Sequence, residues 1–303
     1  MKLHFSNVDF SSRTGPNTFG TRLAECLYGR GYEIVGHNDN YDIFLCFIEP
    51  ASIPNPRAKF IQRLDGIWFK PETYVSHNQK IKWAYDNSDY VVWQSCFDKN
   101  MIEKYWGSKH GLVVHNGIKR SKLDVSADIL SLRKSKDKIF VCAANWHRQK
   151  RLKENIELFQ KVAGTNDVLV VLGSNFDVIT NDSRIMYAGN QQHDICLQLY
   201  SISDWFIHLA WLDHCPNVVV EALSQGCPII CTDSGGTHEI VRNNGLIIKE
   251  KYQYQYELCD YDNPPDIDLD VVIGEKINVN ADYIDIENVA NMYEKAFQDT
   301  MNS

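Results

Sequence analysis

Short apolar runs alternate with longer amphipathic stretches along most of the chain. The short runs are rich in β-branched and aromatic residues, which favour strands. They cover Leu3 to Val8, Glu33 to Gly36, Ile43 to Ile48, Lys59 to Leu64, Tyr90 to Trp93 and Leu112 to Val114. Helical patterns lie between several of them, over Asn17 to Gly31, His77 to Asp86 and Asp98 to Trp106. The pattern restarts with strands at Lys138 to Ala144, Val168 to Leu172, Arg184 to Tyr187, Trp205 to Leu209 and Pro228 to Thr232. Helices are expected there over Leu152 to Ala163, His193 to Tyr200 and Asn217 to Gln225. Such alternation predicts an α/β architecture of parallel sheets with helices on both faces.

A length of 303 residues suits two domains of ordinary size. The break falls at the turn His115-Asn116-Gly117, followed by a polar, charged stretch to Lys136. The expected division is therefore 1–115, 116–285 and a last amphipathic helix, Ile286 to Met301, within 286–303. The stretch from Glu250 to Lys276, crowded with Tyr, Asp and Pro, is expected to be irregular.

Composition narrows the function classes. A formal net charge of −8 argues against DNA or RNA as the main partner, since those binders present a basic face. No run of about 18 apolar residues predicts a transmembrane helix, and peripheral membrane contact is left open. The N-terminus reads directly as a strand without the apolar core of a signal peptide. Nine cysteines, scattered mostly inside apolar runs such as those around Cys46, Cys142, Cys227 and Cys231, fit free thiols in a reducing cytoplasm.

The most informative run is Asp213-His214-Cys215-Pro216-Asn217-Val218-Val219-Val220-Glu221-Ala222-Leu223-Ser224-Gln225-Gly226-Cys227-Pro228. A strand ending near Trp211 gives way to a polar loop, and a helix begins at Pro216 or Asn217, residues suited to a helix start. That helix N-terminus opens beyond the strand ends, where open α/β sheets bind ligands, and its amides suit an anion such as a diphosphate. Asp213 before the helix and Glu221 inside it add two carboxylates able to accept hydrogen bonds from sugar hydroxyls.

This run resembles the donor-binding signature of retaining glycosyltransferase family 4, which has the GT-B fold. The family pattern is an acid, seven residues, Glu, then Ala-Met/Leu-x-x-Gly-x-Pro-Val/Ile. The family's first acid is usually Glu, and here it is Asp213. Downstream, Gly235-Gly236-Thr237-His238-Glu239 resembles the family's Gly-Gly-x-x-Glu turn. The resemblance implies two Rossmann-like domains facing each other across a cleft, with Asp213 beside the donor sugar and Glu221 on the ribose hydroxyls.

The rest of the chain carries the resemblance more loosely. Phe10 to Gly20, with Gly15, looks like the glycine-bearing loop after the first strand of the acceptor domain. Gln62-Arg63-Leu64-Asp65-Gly66 stands where the family has a His-Asp pair; Asp65 either accepts a ligand hydrogen bond or pairs with Arg63 at the surface. Around Asn145 to Arg151, Lys150 matches a family lysine, Asn145 replaces an arginine, and Arg148 is the candidate to supply the missing guanidinium to the leaving diphosphate. Met186 to Asn190, with Gly189, resembles the turn beside the nucleobase. The catalytic set is thus Asp213, Lys150, Arg148 and Asp65, and the donor-binding set Gly15, Asn145, Gly189, Asn217, Val218 and Glu221.

The resemblance implies transfer of a hexose from a UDP- or GDP-sugar to a hydroxyl of a glycan or glycolipid, with retained anomeric configuration. Two competitors are a nucleotide-sugar epimerase on the same fold and a non-catalytic sugar-nucleotide or glycan binder. Asp266, Asp268 and Asp270 imitate the Asp-x-Asp metal motif of another transferase fold, but they lie in a Pro-rich stretch and read as a solvated acidic loop. No metal or other cofactor is expected.

Overall fold

The computed structural model describes residues 1–12, 14–120 and 123–302. Arg13 in the glycine-bearing loop, Ser121 and Lys122 in the expected linker, and Ser303 at the end lie outside the described residues. The chain divides into two compact units. The first comprises Met1–Lys119, Gln255–Asp260 and the stretch from Asp282 onward; the second comprises Arg120–Tyr254 and Tyr261–Ala281.

In the first unit the order is β1 (Lys2–Ser6), α1 (Gly15–Gly29), β2 (Glu33–Ile34), β3 (Ile43–Phe47), β4 (Lys59–Leu64), α2 (Tyr74–His77), α3 (Gln79–Asn87), β5 (Tyr90–Trp93), α4 (Cys96–Trp106) and β6 (Gly111–Val113). All pairings are parallel, in the strand order β2-β1-β3-β4-β5-β6. α1 starts two residues before the expected Asn17 because Pro16 suits its first turn. The helix expected from His77 is broken at buried Asn78, whose amide donates to the carbonyls of Trp68 and Tyr74.

The second unit runs α5 (Ala127–Ser135), β7 (Ile139–Asn145), a 3-10 turn (Arg148–Lys150), α6 (Leu152–Val162), β8 (Val168–Ser174), β9 (Ile185–Gly189), α7 (His193–Ile202), β10 (Trp205–His208), α8 (Asn217–Ser224), β11 (Ile229–Thr232), α9 (Thr237–Val241) and β12 (Gly245–Ile248). Its sheet is again parallel, ordered β12-β11-β10-β7-β8-β9. α6 forms because Leu152, Ile156 and Phe159 recur at helical spacing and bury one stripe on the core.

α5 corrects the expectation of an irregular linker between Asn116 and Lys136. Only Ile129 of this helix is buried, so its pattern carries almost no apolar period. It is held by charge: Arg133 donates to Asp204 at 2.5 Å and to the carbonyls of Lys136 and Asp137.

The irregular stretch after β12 is a strap. Ile267, Leu269, Val271 and Ile273 pack on the second unit's core. Asp266, Asp268 and Asp270 alternate with them and face solvent. The last helix, α10 (Ile286–Met301), belongs to the first unit. Asp285 caps it by accepting from the Glu287 amide, and Ile286, Val289, Ala290, Tyr293, Ala296 and Phe297 enter the core shared with α1.

Candidate functional site

The strand order of the second sheet fixes where a ligand can lie. Connections leave β7 toward β8 and β9 on one side, and β10 leads to β11 and β12 on the other. The connections thus reverse between β7 and β10, and open parallel sheets take ligands at the carboxyl ends of the strands at such a point. The Asn145 to Arg151 loop follows β7, and Leu209 to Pro216 follows β10. The two are stitched together: the Trp211 amide donates to the Gln149 carbonyl, and the Gln149 side chain donates to the Trp211 carbonyl, both at 2.9 Å.

This stitching brings Lys150 Nζ to 2.5 Å from Asp213 Oδ2. His208, the last residue of β10, places Nε2 3.0 Å from the same oxygen, and the His214 amide donates to Oδ1 at 3.0 Å. Burial pushes the Asp213 carboxyl up, but the cation of Lys150 and the hydrogen bond from His208 outweigh it and hold the group well below the usual carboxylate range. Asp213 is thus a fixed anion, with its lysine already in place.

The Gly-Gly turn seats this acid. The Gly236 amide donates to the Asp213 carbonyl at 2.7 Å. Gly235 has φ +67°, and a Cβ there would stand 2.4 Å from the same carbonyl oxygen. Only a glycine fits, on conformation and on space.

α8 begins at Asn217, with Pro216 in the capping position, no side chain capping it and no acid in its first turn. Asn217 and Val218 are half-buried there. Glu221, one turn further, is buried with His193 Nε2 3.1 Å from its Oε1. At the end of β7, exposed Asn145 accepts from Asn175 at 2.6 Å and from Ser174 at 3.1 Å. Arg148 is exposed on the 3-10 turn. Gly189 ends β9 with φ +68° and open space beside it.

Two further charges went unread in the sequence. Arg151 has left-handed backbone, φ +55°, and its guanidinium is fully buried. It donates to Glu250 at 2.5 and 3.2 Å, to the Pro265 carbonyl at 2.7 Å and to the Leu209 carbonyl at 3.3 Å. The conformation costs roughly 1–3 kcal/mol. Each charge-assisted hydrogen bond is worth about 1.5–3 kcal/mol, so the contacts outweigh the strain.

Asp65 and Gly15 belong to the first unit. Gly15 is the first residue of α1. Asp65 is hydrogen-bonded to Arg63, but the surface pairing considered above is corrected. Arg63 is 1% exposed and its guanidinium carbon lies 4.6 and 4.8 Å from the ring centres of Phe19 and Phe47. A second donor reaches Asn116 at 2.6 Å. Strand β4 carries Arg63 inward and delivers Asp65 at its end.

Among the described residues, no three His, Cys, Asp or Glu side chains converge in a way that could hold a metal ion. None of their helices is long and apolar enough to cross a membrane. All nine cysteines are free thiols, five of them buried; burial pushes Cys227, for one, up to about 12.

Residues 130–256 match the model of the Glycosyl transferases group 1 family. Over that span the chain carries this family's domain. No match was found among curated proteins. Solved structures agree on the fold. A glycosyltransferase from Rickettsia africae superposes with a TM-score of 0.67 at 14% identity, covering 100% of this chain and 98% of that one. Sucrose-phosphate synthase from Thermosynechococcus elongatus gives 0.64 at 12% identity, covering 99% and 94%. HepE from Anabaena, solved in complex with UDP-glucose, gives 0.62 at 14% identity, covering 99% and 91%. The fold is GT-B, built of two Rossmann-like domains.

Proposed function

We propose that the protein is a retaining glycosyltransferase of family 4 type, transferring a hexose from a UDP- or GDP-sugar to a hydroxyl of a glycan or glycolipid. The observation that carries this reading is the Lys150–Asp213 pair where the connections reverse between β7 and β10, beside the start of α8. A lysine keeps two further donors after one hydrogen bond to Asp213, and these suit phosphate oxygens. The α8 amides add a fixed positive end without a metal. Arg148, exposed two residues from Lys150, is the flexible second cation, and Asn145 a neutral donor. Glu221 is the acceptor for ribose hydroxyls, and Gly189 lets a nucleobase approach the backbone.

In the reaction the bond from the anomeric carbon to the diphosphate oxygen breaks and a bond to the acceptor oxygen forms on the same face. The acceptor proton passes to the departing diphosphate. Lys150, Arg148 and α8 stabilise charge that grows on the leaving group, where preorganised donors act most strongly. Asp213 holds Lys150 and faces the positive charge that develops on the sugar ring. Asp65, in the first unit, is the acceptor-side carboxylate.

The experiment is a binding and product series in EDTA. UDP, GDP and their sugars should raise the melting temperature where the bare nucleosides raise it far less. Incubation with donor and a glycan acceptor should yield a product whose anomeric configuration, read by NMR, equals that of the donor. No preference for diphosphate over nucleoside, or loss of turnover in EDTA, overturns the anion site described here. An altered sugar formed from donor alone identifies an epimerase.

A further inference from the structure

We infer that the buried Arg151–Glu250 ion pair is the positioning device that sets Lys150 against Asp213; the inference rests on the proposed contact of Lys150 with a diphosphate. Lys150 itself is a poorly fixed group, a point charge on a flexible four-carbon stem. Where its ammonium lies depends on where its backbone is held.

On one side that backbone is clamped by Gln149, through the two hydrogen bonds to Trp211. On the other it continues into Arg151, whose guanidinium is locked by Glu250, Leu209 and Pro265. Asn155 closes the same loop by donating to the Arg151 carbonyl at 2.6 Å and the Lys150 carbonyl at 3.3 Å.

Glu250 reaches the other partner. Its carboxylate accepts from Ser234 at 3.3 Å, and its amide donates to Asp233 at 2.8 Å. Ser234 leads straight into Gly235 and Gly236, the turn that seats the Asp213 backbone. The chain of contacts therefore runs from Lys150 through Arg151, Glu250 and Ser234 to Asp213. The buried pair ties the loop that carries Lys150 to the segment after β12 and, through Ser234, to the turn that seats Asp213.

Stability alone does not call for this pair. Buried ion pairs replaced on both sides by apolar groups of similar volume commonly leave stability unchanged or raised. What an apolar pair could not do is fix direction. A planar fork addressing four acceptors holds the loop to one geometry, which neither methionine nor lysine reproduces. Arg151 and Glu250 touch no substrate in this scheme; they act through Lys150.

The test measures the affinity ratio of nucleoside diphosphate to nucleoside by calorimetry. It uses UDP with uridine or GDP with guanosine, whichever diphosphate binds the native protein more tightly. Lys150→Met is made in the native protein and in an Arg151→Met/Glu250→Met background. In the native protein Lys150→Met should lower the ratio at least tenfold. In the double background the ratio should already be lowered by a similar factor, and Lys150→Met should change it less than twofold further.

A double background with the native ratio, or one in which Lys150→Met still costs tenfold, overturns the positioning role and leaves the diphosphate site standing. No effect of Lys150→Met in the native protein overturns the diphosphate contact itself, and the inference with it. If the double variant does not fold, Arg151→Lys keeps the charge pair while losing the fork. Its ratio should fall between the native value and that of Lys150→Met, and a native ratio there overturns the role.

Discussion

In the first sheet, β2-β1-β3-β4-β5-β6, the direction of the connections reverses between β1 and β3; in the second it reverses between β7 and β10. Both are places where an open parallel sheet can take a ligand. At the first, the loops after β1 and β3 carry Asp9 and Glu49, Asp9 accepting from Ser11 at 2.6 and 2.9 Å, beside neutral groups that are already occupied. Asn7 donates to the Phe47 carbonyl at 2.9 Å, and Ser6 accepts from the Ala51 amide at 3.1 Å. A charged pair, Arg63 with Asp65, sits at the end of β4 beyond β3, its guanidinium stacked against phenyl rings. At the second, Lys150, Asp213 and His208 meet directly at the reversal.

Strain does not separate the two. Asn7 and Ile48 near the first reversal are left-handed, as are Arg151 and Leu212 near the second. Each such residue costs roughly 1–3 kcal/mol, so both units hold distorted loops in place. The difference is electrostatic: the second reversal holds a lysine, a histidine and a carboxylate in direct contact, whereas at the first the acid Asp9 is bonded to the neutral Ser11.

The sharpest way to break the comparison is to unseat the charged loop without touching a charge. Gly235→Ala places a Cβ where the Asp213 backbone stands, at a φ that alanine resists. It should cost about 2–4 kcal/mol of stability and reduce turnover a hundredfold or more. Thermal unfolding and initial rates read the two effects. Native turnover in this variant would mean that the position of Asp213 is irrelevant to the reaction.

Next in size is Glu221→Gln, which separates ribose recognition from phosphate recognition. If Glu221 accepts from ribose hydroxyls, the loss should be about tenfold, near 1.4 kcal/mol, and equal for the nucleoside and its diphosphate. A loss confined to the diphosphate would assign Glu221 to the anion site instead.

A smaller effect, from the other unit, sharpens the contrast. Asp65→Asn should lower turnover roughly tenfold, the 1.4 kcal/mol of one hydrogen bond to an acceptor, and leave nucleotide affinity unchanged. Arg63 keeps its ring contacts and Asn116, so the unit should still fold. Weakened UDP or GDP binding in Asp65→Asn would put donor recognition in both sheets and dissolve the division of labour.

Much of this architecture could be read from apolar periodicity, because strands such as Ile43–Phe47 and helices such as α10 bury a regular face. α5 and α9 escaped for the opposite reason: they bury one and three residues and are held by polar contacts or by their neighbours. β12, at the sheet edge, has a half-exposed pattern with no clean alternation. In the site, Asp213 and Glu221 stood out around a helix start, and Lys150 through the resemblance of its segment to the family's lysine. His208 gave no such signal, since a histidine inside an apolar strand looks the same whether it meets water, carbonyl or carboxylate. Arg151 and Glu250 are 99 residues apart, and only the sheet order brings them together.

The smallest expected effect concerns acid, and its sign follows from Asp213. Burial opposes the charge of this carboxylate, but Lys150 and His208 prevail and its folded value lies below that of the unfolded chain. A depressed carboxylate stabilises the fold at pH above its unfolded value, about 3.9, and that contribution is lost as pH falls through the folded value. The native protein should therefore lose stability between about pH 5 and 3 more steeply than Asp213→Asn, whose amide binds no proton. Equal slopes for the native protein and Asp213→Asn in the acid range would mean that Lys150 does not neutralise Asp213 in solution, and the charged reversal point would lose its central pair.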